Sequence, residues 1–179
     1  MPNWCEGNIR FRGKLEDILR MLKNELKYCY YDDKRNTQVI GIDQDIDPEK
    51  ARLEEFVVIA PPTLPKLDSP RTGWWYWNET RRAFPNFDGC VEVHLWNPND
   101  DEKDEWIAFF PEFKQAWGVE VEDWVRYSQD YNIDVRIFAW ECGMEFGEDI
   151  EIIKGDITRC RGIKYDNWSW DCPMPTYGG

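Results

Sequence analysis

Residues whose chemistry could drive a reaction are few and scattered. His94 is the only histidine, so a Ser-His or Cys-His nucleophile pair would have to be built on it. Its setting, "CVEVHLW", alternates apolar and polar residues as a half-buried strand does, and a satisfied strand histidine is the simpler reading. The six cysteines, Cys5, Cys29, Cys90, Cys142, Cys160 and Cys172, form no CxxC pair, so a zinc site would have to gather its ligands from distant positions. Glycine-rich phosphate loops of the GxxxxGK or GxGxxG kind are absent. With 35 acidic residues, paired carboxylates occur at glycosidase-like spacings by abundance alone and carry little information. The expectation is a protein that is not an enzyme and holds no cofactor.

One spacing suggests a metal. Asp43, Asp45, Asp47 and Glu54 occupy the first, third, fifth and twelfth places of a calcium loop. The sixth place is Pro48, where such a loop needs the backbone freedom of glycine. The same letters fit a short helix capped by Asp47 and opened by Pro48, and this reading is preferred.

The other conspicuous stretch is "RTGWWYWNETRR", residues 71–82, with Trp74, Trp75 and Trp77 around Tyr76. As a strand it would turn Trp74 and Tyr76 one way and Trp75 and Trp77 the other. With 11 tryptophans in 179 residues, some are expected at the surface. Core and binding platform both stay open, core being the stronger.

Charge narrows the partners. The chain has 22 basic and 35 acidic residues, net −13, which repels polyphosphate and argues against nucleic acid. Residues 92–151 hold 17 acidic against 4 basic side chains, and the remainder is balanced. No apolar run reaches the roughly 18–20 residues of a membrane span, and the start lacks a signal-peptide pattern. The expected setting is therefore cytoplasmic, with reduced and mostly buried thiols.

The elements that would position these residues follow from periodicity. "NIRFRG" alternates as a strand, and Leu15, Ile18, Leu19, Leu22 and Leu26 fall at helical spacing. "FVVIA" and "VEVHLW" are strands on either side of a Pro- and aromatic-rich stretch expected to be irregular. "WIAFFPEFKQAW" contains Pro111, which suggests an edge strand or a bulge. Val121, Trp124, Val125 and Ser128 mark a second helix, and "NIDVRIFAWE" a further strand. "EDIEIIK" and "ITRCRGIKYD" form a hairpin across Gly155-Asp156, and the tail "NWSWDCPMPTYGG" is expected to stay loose. The order β-α-β-β-α-β predicts a ferredoxin-like α+β sandwich. One domain over 1–179 is expected, with a possible insertion at 61–105 and an appended C-terminal hairpin over 148–170.

The opening "MPNWCEGNIRFRG" resembles the start of the YubB-type ferredoxin-like domain family of phage- and plasmid-encoded proteins. "VVIAPPTLPKL", "FKQAW" and "AWECGMEFGE" resemble three later stretches of that family in its order, with Gln115 standing at its threonine place. Its Trp-Gly-Thr-Lys-Trp block has no counterpart placed here. The resemblance implies the fold and a mobile-element origin; it brings no established activity and no catalytic residues. The shared positions read as structural, with Glu141 the exception, a carboxylate among aromatics for which Arg136 is a candidate partner.

The leading functional expectation is a phage- or prophage-type binding protein or inhibitor acting on a host protein, its acidic segment imitating nucleic-acid phosphates. Candidate contact residues are Trp74, Trp75, Trp77, Asp100, Asp101, Asp104, Glu105, Trp140 and Glu141. The alternatives are a single-stranded nucleic-acid module using an aromatic sheet face, a protein that binds or hydrolyses carbohydrate, and a structural phage protein without ligand. Oligomeric state is left open.

Overall fold

The computed structural model describes residues 3–31, 37–40, 46, 48–53, 56–64, 73–85, 89–99 and 104–179, and the structural statements below concern these residues. The order is β1 (Trp4–Gly13), α1 (Leu15–Glu25), β2 (Leu26–Tyr31), β3 (Thr37–Ile40), α2 (Pro48–Leu53), β4 (Phe56–Ile59), β5 (Gly73–Trp77), β6 (Ala83–Phe84) and β7 (Val91–Trp96). Then come β8 (Trp106–Ala116), α3 (Val121–Tyr131), β9 (Asp134–Glu141), β10 (Phe146–Ile153), β11 (Asp156–Lys164) and α4 (Trp168–Asp171).

Eight strands make one antiparallel sheet in the order β11-β10-β9-β1-β8-β7-β4, with β6 beside part of β8. A second sheet has the order β3-β2-β5. This overturns the expected ferredoxin-like α+β sandwich. Strands hold 49% of the described residues and helices 21%, so the architecture is mostly β, with short helices covering part of a large sheet.

The physical origin of the difference lies in two stretches. Leu26, counted as the last apolar position of the first helix, instead starts β2, because "LKYCYY" is aromatic-rich and favours extended backbone. The aromatic stretch expected to be irregular supplies its partner. Tyr28 pairs with Trp75 and Cys29 with Trp74, which builds the second sheet.

Pro111 is neither on an edge strand nor disruptive. β8 lies between β1 and β7, and its register with β1 slips between Gly7 and Ile9, the mark of a bulge. On the other side β8 pairs with β7 through Ile107–Phe109 and with β6 through Lys114 and Gln115. Pro111 therefore falls in a gap where no ladder donor is required.

The core lies between one face of the main sheet, the helices α1 and α3, and the second sheet. Leu15, Ile18, Met21 and Leu22 line the inner stripe of α1, while Trp124, Tyr127, Ser128 and Tyr131 line that of α3. Trp77 is the hub: its ring lies 5.1 Å from Phe110, 5.6 Å from Phe11, 6.0 Å from Trp124 and 6.2 Å from Tyr127, all near edge-on. Such contacts add to the burial of its large ring.

The tail departs from expectation by being tied down. Gly179 N–H donates to Trp4 O at 3.1 Å, Cys142 N–H to Tyr177 O at 3.0 Å, and Trp168 Nε1 to Pro175 O at 2.8 Å. A side chain at Gly178, φ +80°, would put Cβ 2.2 Å from Trp4 O, so only glycine allows this approach. The hairpin β10–β11 spans Phe146–Lys164 and extends the main sheet directly.

Candidate functional site

The second face of the main sheet is covered at one end, where α4 and the tail pack on Trp140 and Phe138, and carries neither α1 nor α3. Strand alternation sends Ile9 and Phe11 inward and Arg10 and Arg12 outward, and the register carries this pattern across neighbours. Arg10 sits opposite Phe109 on β8 and Arg136 on β9; Arg136 sits opposite Glu151, and Glu151 opposite Arg159. Phe138 faces Asp149, which faces Arg161. Toward the other edge, His94 and Trp96 of β7 lie beside Phe109 and Ile107.

Two arginines stack on rings of this face. The Arg10 guanidinium lies 5.0 Å from the Phe109 centroid, and that of Arg136 lies 4.0 Å from Phe138. Arg12 donates from Nε at 2.9 Å and from Nη2 at 2.5 Å to Asp134 Oδ2. This pairing raises the affinity of the Arg12 guanidinium for its proton, so it stays charged. Arg136 is paired with Asp149, while Arg159 lies 3.7 Å from Asp149 and 4.0 Å from Glu151. A shallow basin of about 250 Å³ lies between Arg10, Arg12, Arg136, Asp134, Glu151 and Ile107. Its floor is apolar and its rim carries both signs of charge.

The expected contact residues lie elsewhere and do not converge. Trp75 and Trp77 are fully buried, whereas Trp74 is half-buried on the opposite side of β5 with its ring 5.2 Å from Tyr31. Asp100 and Asp101 lie outside the described residues, as do Asp43, Asp45, Asp47 and Glu54. Asp104 is exposed with its carboxylate 3.9 Å from Arg52, and Glu105 accepts a hydrogen bond from Asn99. Trp140 is buried under the tail beside Trp168 and Cys172, its Nε1 donating to the Tyr165 hydroxyl at 3.2 Å.

Glu141 is 1% exposed and accepts the backbone N–H groups of Gly143 at 2.9 Å and Met144 at 2.6 Å. It shapes the β9–β10 turn, and Arg136 is engaged with Asp149 instead.

Other polar clusters are structural. Gln115, fully buried, donates to Arg81 O and Asp123 and accepts from Glu120 N–H and Trp124 Nε1. Glu25 accepts the Tyr131 hydroxyl at 2.7 Å, and burial followed by Glu25 pushes the Tyr131 pKa up to about 12. Cys5 donates to Glu148 at 3.3 Å, and burial together with Glu148 pushes its thiol far up, which denies it the thiolate a nucleophile needs. All six cysteines are free, with Cys5, Cys29 and Cys172 buried and Cys90 and Cys160 exposed. Among the described residues no group of three or more His, Cys, Asp or Glu is placed to hold a metal, and no helix is long and apolar enough to cross a membrane.

Arg10, Phe109, Phe138, Arg159 and Arg161 were not among the candidates the sequence offered, and Arg136 was offered only as a partner for Glu141. Their signal was available in part: arginines alternate with apolar residues in "RFR" and "VRIF", which marks the outward side of β1 and β9, and Arg159 and Arg161 alternate in "TRCRG". In comparisons with known proteins, no family model, no curated protein and no solved structure matches this chain.

Proposed function

We propose that the protein is a non-enzymatic binding protein that engages a partner protein through the open face of its main sheet. The carrying observation is the pair of stacked arginines, Arg10 on Phe109 and Arg136 on Phe138, around a shallow basin. Arginine and aromatic side chains on a flat, mixed-charge surface are what protein interfaces concentrate.

The main competitor is single-stranded nucleic acid, favoured by the same stacks. Three of the five arginines here are already paired with carboxylates, whose charge would stand against phosphate. Phosphate mimicry has less support: acids of the 92–151 segment are dispersed, with Glu122 and Asp130 on the outward side of α3, Asp134 and Asp149 neutralised by arginines on the open sheet face, and Glu141 and Glu148 engaged with backbone N–H groups. The setting we infer is the cytoplasm of a bacterial host, on the strength of the phage-type resemblance of the opening residues and six free thiols.

The test compares wild type with Arg10→Ala/Phe109→Ala in bacterial lysate with and without nuclease treatment, identifying what is captured and measuring its affinity. The double variant is expected to bind at least about tenfold more weakly at unchanged melting temperature. Equal affinity refutes the face, and recovery of nucleic acid in place of protein hands it to the competitor.

A further inference from the structure

Among the described residues β11 is the outer strand of the main sheet and pairs only with β10. All nine of its residues are exposed or half-exposed. An antiparallel strand bonded on one side turns about half of its N–H and C=O groups outward, so this edge offers an unfilled hydrogen-bonding template.

Its charged side chains are mostly basic. Arg159 and Arg161 project onto the open face opposite Glu151 and Asp149, Lys164 ends the strand, and Lys154 stands in the turn before it; Asp156 is the lone acid. The strand and its turn thus hold more basic than acidic side chains on a chain of net charge −13, with Arg159 shared with Asp149 and Glu151 on β10 and Arg161 the main cation offered at the edge. Antiparallel pairing of β11 with a second copy would oppose arginines to arginines, which disfavours that occupant. An acidic strand would satisfy both the backbone and the charges.

We propose that the β11 edge docks an extended, acidic segment of the partner protein, which adds as a further strand and sets its carboxylates against Arg159 and Arg161. This deepens the binding reading above and rests on it: the edge is the border of the same face, with Arg136 two strands and Arg10 three strands inward, so a partner whose strand is seated there can lay its remaining surface over them. Main-chain bonds would supply affinity, and the arginines the preference for acid.

The probe is a displayed library of random twelve-residue peptides selected on the whole protein at low salt. Enriched peptides are resynthesised for anisotropy titrations, and backbone amide exchange is followed with and without them. Expected are acidic, strand-forming peptides that slow exchange in β11, weaken about tenfold against Arg161→Glu, and weaken similarly when alternate amides are N-methylated. Arg159→Gln, which adds no repulsion beside Asp149 and Glu151, gives a smaller loss in the same direction.

Selection without acidic enrichment overturns the proposal, as does acidic binding that leaves β11 exchange unchanged. If the peptides instead depend on Arg10 and Phe109 while β11 is silent, the open-face reading stands and the edge falls. Binding at β11 alongside a partner indifferent to Arg10→Ala/Phe109→Ala removes the face and keeps the edge. Dimerisation that protects β11 without peptide assigns the edge to a second copy and refutes the inference.

Discussion

Trp75 and Trp77 share a strand, a face and complete burial, but differ in one atom's company. Trp75 Nε1 donates to Gly89 O at 2.9 Å, while Trp77 Nε1 is buried with no hydrogen-bond partner among the described residues. Replacing either by Phe removes about two methylene equivalents of buried ring, a loss of about 2 kcal/mol. For Trp77→Phe, deleting an unsatisfied buried donor returns about 1–3 kcal/mol, so the net change is near zero. For Trp75→Phe a hydrogen bond worth about 1 kcal/mol is lost as well, so the total cost is about 3 kcal/mol. The rings that surround each indole still meet an aromatic partner, so these edge-on contacts largely cancel in the comparison. Urea unfolding followed by far-ultraviolet circular dichroism measures both, with equal m-values required for the comparison. Equal costs for the two variants, or a larger cost at Trp77, would refute the assignment of Trp77 as the unpaired indole.

Alkaline pH supplies a second check. The Tyr131 hydroxyl is held protonated up to about pH 12 in the folded protein against an ordinary value of 10.0, so its contribution to stability is complete below pH 10 and is lost as pH rises through 12. Tyr131→Phe should therefore flatten the fall of the urea midpoint between pH 10 and 12, and an unchanged slope would contradict the Glu25 contact. Thiol titration of the native protein at pH 8 should show Cys90 and Cys160 reacting first and Cys142 more slowly. Cys5, Cys29 and Cys172 should react only on unfolding, since burial also raises Cys5 and Cys29; fast reaction of four or more thiols would contradict this burial.

Local patterns carried much of the fold. Alternation in "NIRFRG" and "NIDVRIFAWE" marks β1 and β9, and helical spacing marks α1 and α3, because the inward sides of these elements meet a continuous apolar core. What local pattern cannot carry is pairing. Nothing near Leu26 announces that "LKYCYY" meets "GWWYW", nor does the surrounding sequence show that Pro111 lies between the footprints of two other strands. The candidate face was missed for the same reason. Arg10, Arg136 and Arg159 stand far apart in the chain and become one surface only when β1, β9, β10 and β11 are laid side by side. Glu141 was legible as a carboxylate in need of a donor; that the donors are two backbone N–H groups of its own turn is a matter of turn geometry.

The central position of β1 has a consequence for biosynthesis. Ile9 pairs with Phe110 on one side and Ile137 on the other, so β1 leaves the ribosome well before either partner exists. At ordinary elongation rates the strand waits on the order of ten seconds, long for an apolar segment with both edges bare. Arg10 and Arg12, alternating with Ile9 and Phe11, put charge into that waiting segment and discourage its pairing with the wrong neighbour. The same two arginines that rim the basin in the finished protein thus guard the chain while it is being made.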